Sequence, residues 1–162
     1  MMLLVLLLIL GPLLAHGQTS APKRPFVIEI NAAAPTAKLG SAVWVTLKFR
    51  NNSKSEIDFS GAWSDLRRVN PNWEFNVRDS AGEPVPRRHD KYEELAGGSY
   101  RAGSVGPGKS QVEEVDLARL YDFSKPGKYV VQVSRKIPKE LGGGTIESNK
   151  ITLTLTEDGK QD

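Results

Sequence analysis

The stretch GPGKSQVEEVDLARLYDFSKPGKYVVQV, Gly106 to Val133, decides the fold of this chain. It predicts a strand, a single helical turn capped by Asp116, and a second strand. Tyr129 stands two residues before Val131, whose position in the second strand is typical of a buried residue. This is the spacing of a tyrosine corner, in which a tyrosine at the start of a strand hydrogen-bonds back to the preceding corner of an immunoglobulin-like sandwich. We therefore predict that Tyr129 and Val131 are structural residues of such a sandwich.

Alternating strands extend this pattern on both sides of the stretch. The segments 43–50, 73–78 and 151–155 alternate apolar and polar residues, as strands with one buried face do, and this places Trp73 in the core. No helical period lasts three turns, and residues 60–71 and 87–101 are predicted as irregular loops. The sequence therefore predicts an all-β, immunoglobulin-like two-sheet antiparallel sandwich of about eight strands over residues 25–156.

The two ends of the chain differ from this domain in composition. Residues 1–17 are an apolar run followed by small residues; the run is too short for a membrane span of about 20 residues and is typical of a cleaved secretory signal. Residues 18–24 are interpreted as a linker and residues 157–162 as a disordered polar tail. We therefore expect a secreted or periplasmic protein with no membrane span after signal cleavage. An uncleaved anchor is the alternative.

Composition excludes several classes of site. The chain has no cysteine, so it can form neither a disulfide framework nor a cysteine nucleophile. Its net charge is +3, and basic residues are interspersed with acidic ones, whereas nucleic acids require a concentrated basic face. His16 leaves with the signal, and His89 by itself predicts neither a metal site nor a Ser–His–Asp triad. We therefore expect no cofactor, no metal and no nucleic-acid partner.

Carboxylates are the remaining candidates for catalysis. Glu93-Glu94 and Glu113-Glu114 are adjacent pairs, and neighbouring residues on a strand point to opposite faces, so neither pair is a catalytic dyad by itself. Two acids distant in sequence could still meet in space. We predict no catalytic residue, and a carboxylate-based hydrolase remains an alternative.

Several short motifs resemble a known family. The stretch Gly106–Val133 resembles part of the immunoglobulin-like accessory domain that precedes the catalytic domain in deuterolysin-type (aspzincin) metallopeptidases. The resemblance is carried by Pro107-Gly108, Val115-Asp116-Leu117, Leu120-Tyr121-Asp122-Phe123-Ser124 and Gly127-Lys128-Tyr129. More loosely, Val43–Phe59 is similar to the strand–NNS–strand opening of small bacterial inhibitor-like sandwiches. The HExxH zinc motif of the family has no counterpart in this chain, so the resemblance implies a fold and a peptidase-directed role but no proteolysis.

Aromatic and arginine side chains in the predicted loops are the binding candidates, because these residue types dominate interface energies. The first group comprises Trp63, Arg67, Arg68, Arg88, Tyr92, Tyr100 and Arg101; the second, in a hairpin loop over residues 137–144, comprises Ile137, Lys139 and Leu141. Some of them could instead fold back as loop anchors. We predict a non-catalytic binding module that contacts another extracytoplasmic protein, in its sharpest form a peptidase inhibitor or a peptidase accessory domain.

A carbohydrate- or envelope-binding module is the alternative binding function. It is suggested by tryptophan and tyrosine rings, which can stack on sugars. It predicts a planar row of aromatic side chains on one sheet face, with Trp44 and Trp63 close together. The sequence leaves the ligand and the oligomeric state open.

Overall fold

The computed structural model describes residues 24–59, 61–64, 72–88, 98–101 and 103–157, with the backbone alone for 61–64 and 98–101. These residues form twelve strands and no α-helix. In chain order the strands are β1 (Phe26–Ala32), β2 (Thr36–Lys38), β3 (Trp44–Asn51), β4 (Ile57–Asp58), β5 (Gly61–Ser64), β6 (Glu74–Arg78), β7 (Gly98–Arg101), β8 (Ser104–Val105), β9 (Ser110–Asp116), β10 (Gly127–Lys136), β11 (Thr145–Glu147) and β12 (Ile151–Thr156). This part of the chain also contains two 3-10 turns, Leu117–Arg119 and Lys139–Leu141.

Eight of these strands form two sheets that share one hydrophobic core. The three-stranded sheet has the order β1-β3-β9 and is antiparallel throughout. The five-stranded sheet has the order β11-β10-β12-β2, with β6 on the other side of β10, and β2 runs parallel to β12. The remaining strands pair as β4–β8 and β5–β7. This arrangement confirms the predicted all-β, immunoglobulin-like sandwich.

Alternating side chains build the core between the two sheets. On β3, Val45, Leu47 and Phe49 are buried while the residues between them point outward. On β10, every second residue from Tyr129 to Arg135 is buried in the same way. Burying an apolar side chain of this size stabilises the fold by about 1.5–3 kcal/mol. Arg135 is the exception, since a cation takes the position of an apolar residue.

The corner between β9 and β10 has the local geometry that the sequence predicts. Asp116 caps the 3-10 turn, because its carboxylate accepts hydrogen bonds from the backbone N–H of Ala118 at 3.1 Å and of Val43 at 2.9 Å. The hydroxyl of Tyr129 donates to the carbonyl of Lys125 at 2.6 Å, which closes a tyrosine corner. The cap therefore ties the corner to the start of β3, and the tyrosine fixes where β10 begins.

The side chain of Asn149 satisfies two backbone hydrogen-bonding groups at the edge of β1. The amide nitrogen of Asn149 donates to the carbonyl of Ile30 at 2.9 Å, and its oxygen accepts from the Ile30 N–H at 2.9 Å. The side-chain amide thus takes the place of a neighbouring strand. Because Asn149 lies between β11 and β12, these bonds join the two sheets at one edge.

Three segments differ from the sequence prediction. Residues 34–40 lie outside the strands that the alternating pattern predicts, yet they contain β2. Residues 60–71 and 87–101 are predicted as irregular, yet β5 and β7 pair with each other, so Trp63, Tyr100 and Arg101 lie on strands instead of in loops. The reason is length: strands of three or four residues are too short for a period of two to be recognised.

Candidate functional site

A buried arginine lies among aromatic rings near the end of β10. Arg135 is only 5% exposed, because its inward position on the strand directs it into the sandwich. Its guanidinium carbon lies 3.7 Å from the centroid of the Phe59 ring, and 5.5 Å and 5.4 Å from those of Phe49 and Trp73. A guanidinium over an aromatic face is attracted by the ring quadrupole, so the rings partly compensate for the water that the cation loses.

The three rings come from separate elements of the fold. Phe49 belongs to β3, Phe59 directly follows β4, and Trp73 directly precedes β6. Phe49 and Phe59 meet edge-on with their centroids 4.4 Å apart, and Phe59 lies 5.6 Å from Trp73. Such contacts add to the apolar burial, and they hold the arginine in one orientation. We call Phe49, Phe59, Trp73 and Arg135 the arginine–aromatic cluster.

The guanidinium uses one of its two terminal nitrogens. Nη2 of Arg135 donates to the carbonyl of Asp58 at 2.6 Å. Nη1 is buried and has no hydrogen-bond partner in the described part of the chain. Burial lowers the pKa of Arg135 to about 10, with the charges of Glu113 and Asp58 opposing the shift. The side chain therefore remains a cation at neutral pH and carries an unused donor.

Glu113 is the carboxylate of the same region, and its two oxygens are already occupied. It takes an inward position on β9, where Oε2 accepts from the indole Nε1 of Trp73 at 2.9 Å and Oε1 accepts from Nε2 of Gln111 at 2.9 Å. Burial raises the pKa of Glu113, and the Trp73 hydrogen bond and the positive charge of Arg135 oppose this shift in part. Glu113 thus holds the Trp73 ring in place.

A cleft of about 560 Å³ opens beside this cluster. Its described lining comes from three segments of the chain: the start of β6 with the two residues before it, the end of β10, and one position after β6. They are Asn72, Trp73, Glu74, Phe75, Arg87, Arg135 and Lys136. Three of these residues are cations and one is an acid, so the lining has an excess of positive charge. We call this opening the Arg135 cleft.

The structure places some of the sequence-predicted binding residues and leaves others aside. Arg67, Arg68 and Tyr92 lie outside the described residues. For Trp63, Tyr100 and Arg101 the backbone is described: Trp63 stands opposite Ser99 in the β5–β7 pair, and Tyr100 stands opposite Ala62. The backbones of these three candidates are therefore brought together on two adjacent strands.

The other predicted residues lie in two separate places. Arg88 is exposed, and its backbone N–H donates to the carbonyl of Leu120 at 3.0 Å. In the loop between β10 and β11, Ile137 and Leu141 are half-buried against the core while Lys139 is exposed. Gly142, Gly143 and Gly144 all have positive φ, so this loop is a built turn that favours glycine. None of these described candidates lines the Arg135 cleft.

The three residues for which the sequence predicts a structural role occupy interior positions. Trp73, Tyr129 and Val131 are buried, Trp73 in the arginine–aromatic cluster and the other two on β10.

Sequence reasoning missed Arg135 and considered Glu113 only as half of an adjacent acidic pair, although a signal for the inward position of each was present. In the alternation of β10, Arg135 follows Tyr129, Val131 and Val133 at the same parity, which marks it as an inward cation. Glu113 stands two residues before the buried Val115, so it faces inward too. A charged residue at a position that the strand period assigns to the core is the pattern that would have found both.

The outer face of the three-stranded sheet bears on the carbohydrate alternative. Trp44 is 48% exposed there and is the one aromatic side chain that the described strands β1, β3 and β9 place on that face. A row of aromatics is therefore absent from this sheet, and the side chain of Trp63 is outside the description. In the described ranges no three His, Asp or Glu side chains group as metal ligands, and no helix is long and apolar enough to cross a membrane.

Comparisons with known proteins yield distant structural likeness only. No family model matches the chain, and no curated protein matches it. Among solved structures, a β-glucosidase from Erythrobacter marinus is 16% identical with a TM-score of 0.47, over 81% of this chain and 15% of the enzyme. A CARDB domain from Pyrococcus furiosus in complex with metal ions is 10% identical with a TM-score of 0.43, over 81% of this chain and 87% of the domain.

A third similar structure is an alkylpurine DNA glycosylase from Pseudomonas fluorescens bound to DNA. It is 12% identical with a TM-score of 0.43, and the match covers 81% of this chain and 30% of the glycosylase. The chain therefore spans less than a third of both enzymes that it matches. Likeness at this level carries no functional argument, so the function has to be argued from the chain's own residues.

Proposed function

We propose that this protein is a secreted or periplasmic, non-catalytic binding module that contacts another protein through the Arg135 cleft. The observation that carries the proposal is the composition of that cleft. A tryptophan and an arginine, the side chains that dominate interface energies, line an opening with two further cations. An interface core of this kind binds by shape and charge and needs no reacting group.

The chemistry of the cleft supports binding over catalysis. Acid–base hydrolysis by carboxylates needs two acids at a set separation across the reacting bond. In the described lining Glu74 is the one acid, and the nearby Glu113 uses both oxygens to hold Trp73 and Gln111. The site therefore offers cationic hydrogen-bond donors beside the rings of Trp73 and Phe75, which are the groups of a recognition site.

The compartment and the kind of partner extend the proposal beyond the site. The apolar leader at residues 1–17 supports export, and the absence of cysteine suits a compartment in which thiols oxidise. A peptidase is the sharpest version of the partner, and its support is the resemblance of residues 106–133 to a peptidase accessory domain. In that version the module inhibits a peptidase or positions its substrate.

The test is site-directed photocrosslinking with a matched control. A photoreactive residue is introduced at Lys136, on the rim of the cleft, and separately at Lys48, an exposed lysine on the outer face of the other sheet. Both variants are exposed to the extracytoplasmic fraction of the producing organism, and any protein crosslinked at Lys136 but not at Lys48 is identified. That protein is then purified and titrated with the unlabelled module.

The proposal expects a saturable complex between the two purified proteins. If the partner is a peptidase, its activity must also change on saturation, or the peptidase version is wrong. Identical crosslinking from both positions, no crosslinking from either, or a purified candidate that fails to bind would each refute binding through the cleft.

A further inference from the structure

We infer that the Arg135 cleft recognises a carboxylate of the bound partner, with Nη1 of Arg135 as the anchoring donor. This inference rests on the proposed function, since it names the chemical group that the binding site takes. It is argued from three features of the site: an unused buried donor, an incomplete internal counter-charge, and a lining suited to a small organic anion.

The unused donor is the first feature. Buried polar groups in folded proteins almost always have a hydrogen-bond partner, and a charged group left without one is strongly destabilising. Nη1 of Arg135 is such a group, within a side chain that is 95% removed from water. The aromatic rings around Nη1 have no lone pair that could accept a strong hydrogen bond from it. An acceptor from outside the chain would therefore improve the site more than it would improve an exposed arginine.

The incomplete counter-charge is the second feature. Glu113 and Asp58 both interact electrostatically with Arg135, but neither carboxylate accepts a hydrogen bond from Nη1. The two oxygens of Glu113 accept from Trp73 and Gln111 instead. Burial raises the pKa of Glu113, and the Trp73 hydrogen bond and the charge of Arg135 oppose this shift in part. The cation of Arg135, which keeps its proton at neutral pH, thus has negative charge nearby but no carboxylate hydrogen-bonded to Nη1. The cleft retains positive charge next to Arg87 and Lys136.

The lining is the third feature, and it distinguishes a carboxylate from a phosphate. Phosphate sites gather several donors, commonly backbone N–H groups of a helix N-terminus or a nest, around three or more oxygens. The described cleft offers one fixed donor, Arg135, among aromatic rings. Arg87 and Lys136 also line it, but their side chains are exposed and therefore less constrained. A flat two-oxygen acceptor on an organic stem fits such a site. Nη1 is covered in the unliganded protein, so the carboxylate binds it by displacing the atoms that cover it, while the stem packs against Trp73 and Phe75 in the cleft lining.

Two sources of carboxylate are compatible with this chemistry, and the probes separate them. N-acetylphenylalanine presents a C-terminal carboxylate, and the N-acetyl, C-amide derivative of glutamate presents a side-chain carboxylate. The corresponding glutamine derivative is the neutral control, and inorganic phosphate tests whether any anion suffices. Each is titrated into isotope-labelled protein while the arginine side-chain and tryptophan indole N–H signals are followed by NMR.

We expect saturable shifts of the Arg135 guanidinium and Trp73 indole signals with at least one carboxylate probe, in the millimolar range typical of fragments. The neutral amide should produce none. Arg135→Lys keeps the charge but loses the fixed fork, so binding should weaken by about 10- to 100-fold. If that variant does not fold, Arg87→Gln and Lys136→Gln on exposed positions should each weaken binding about 2- to 5-fold, whereas Lys48→Gln on the opposite sheet should not.

The outcomes separate this inference from the proposed function. No saturable shift with either carboxylate, equal shifts with phosphate, or equal weakening by Lys48→Gln would overturn the carboxylate site. A protein partner that still crosslinks at Lys136 would then leave the binding function standing. Carboxylate binding without any protein partner would instead support the site and refute the proposed function.

Discussion

Asn51 is the side chain whose removal should damage the fold most for its size. It is fully buried at the end of β3, and its amide nitrogen donates to the carbonyls of Ser55 and Val105, each at 2.7 Å. Its amide oxygen accepts from the backbone N–H of Ser53 at 2.8 Å and from the hydroxyl of Ser53 at 2.7 Å. All its hydrogen-bonding capacity is therefore used to hold one turn and the end of β8.

The expected loss for Asn51→Ala follows from these four bonds. The partners in the turn can reach water, so each of those bonds contributes about 0.5–1.5 kcal/mol. The Val105 carbonyl is buried, and leaving it without its donor costs about 1–3 kcal/mol more. Together these contributions span about 2.5–7.5 kcal/mol. Since losses above about 5 kcal/mol are exceptional for one substitution, we expect the free energy of unfolding to fall by about 3–5 kcal/mol. Because β8 pairs with β4, whose Asp58 carbonyl binds Arg135, the substitution should also loosen the arginine–aromatic cluster.

Asn52→Ala is the matched control. Asn52 is the adjacent residue of the same type, and its side chain makes no hydrogen bond in the described part of the chain. This variant should change the free energy of unfolding by less than about 0.5 kcal/mol. Both are measured by urea unfolding followed by tryptophan fluorescence, which reports on the buried Trp73. An Asn51→Ala variant within about 1 kcal/mol of the Asn52→Ala variant would refute the reasoning, provided the m-value is unchanged.

Three further predictions concern stability. Tyr121→Phe removes a 2.7 Å hydrogen bond to the buried carbonyl of Phe75 on β6 and should lower the free energy of unfolding by about 1.5–3 kcal/mol. Tyr129→Phe removes a hydrogen bond to the carbonyl of the exposed Lys125 and should lower it by about 0.5–1.5 kcal/mol. The opposite order in urea unfolding would contradict this. Because the pKa of Glu113 is raised above 4.5, the folded protein holds the carboxyl proton of Glu113 more tightly than the unfolded chain does. The stability that this proton contributes is therefore lost as the pH rises from 4.5 through the pKa of the folded state. Glu113→Gln should therefore gain stability relative to the wild type as the pH rises from 4.5, and a constant difference between the two unfolding profiles would argue against the assignment. Arg135→Lys loses the planar contact with Phe59 and should lower the free energy of unfolding by about 1–2 kcal/mol, so a variant of unchanged stability would show that the stacking contributes little.

The fold could be predicted from the sequence where local rules determine it. Strands β3, β9 and β10 are seven to ten residues long, so they carry several repeats of a two-residue period or flank a recognisable corner. The side chains of Asp116 and Tyr129 hydrogen-bond to backbone groups within a few residues of them in the sequence. The β5–β7 pair could not be predicted, since it joins two four-residue segments that are far apart in the chain. Such pairings depend on the packing of the whole domain.

The candidate site was harder to predict than the fold, because its parts come from different strands. The predicted candidates were chosen as exposed loop residues, whereas Arg135 and Glu113 occupy inward positions of β10 and β9. Their parity identifies them as interior charges, but no sequence rule states that Phe59 and Trp73 would surround Arg135. Whether Nη1 would find a partner within the chain depends on distances that only the folded arrangement sets.

The most direct test of the central claim is a crystal structure of the purified protein with whichever of the two carboxylate probes binds saturably. The account predicts a carboxylate oxygen about 2.8 Å from Nη1 of Arg135, with the stem of the probe against Trp73 or Phe75. A structure in which Nη1 donates to a residue of its own chain, while the cleft holds no ligand, would contradict it.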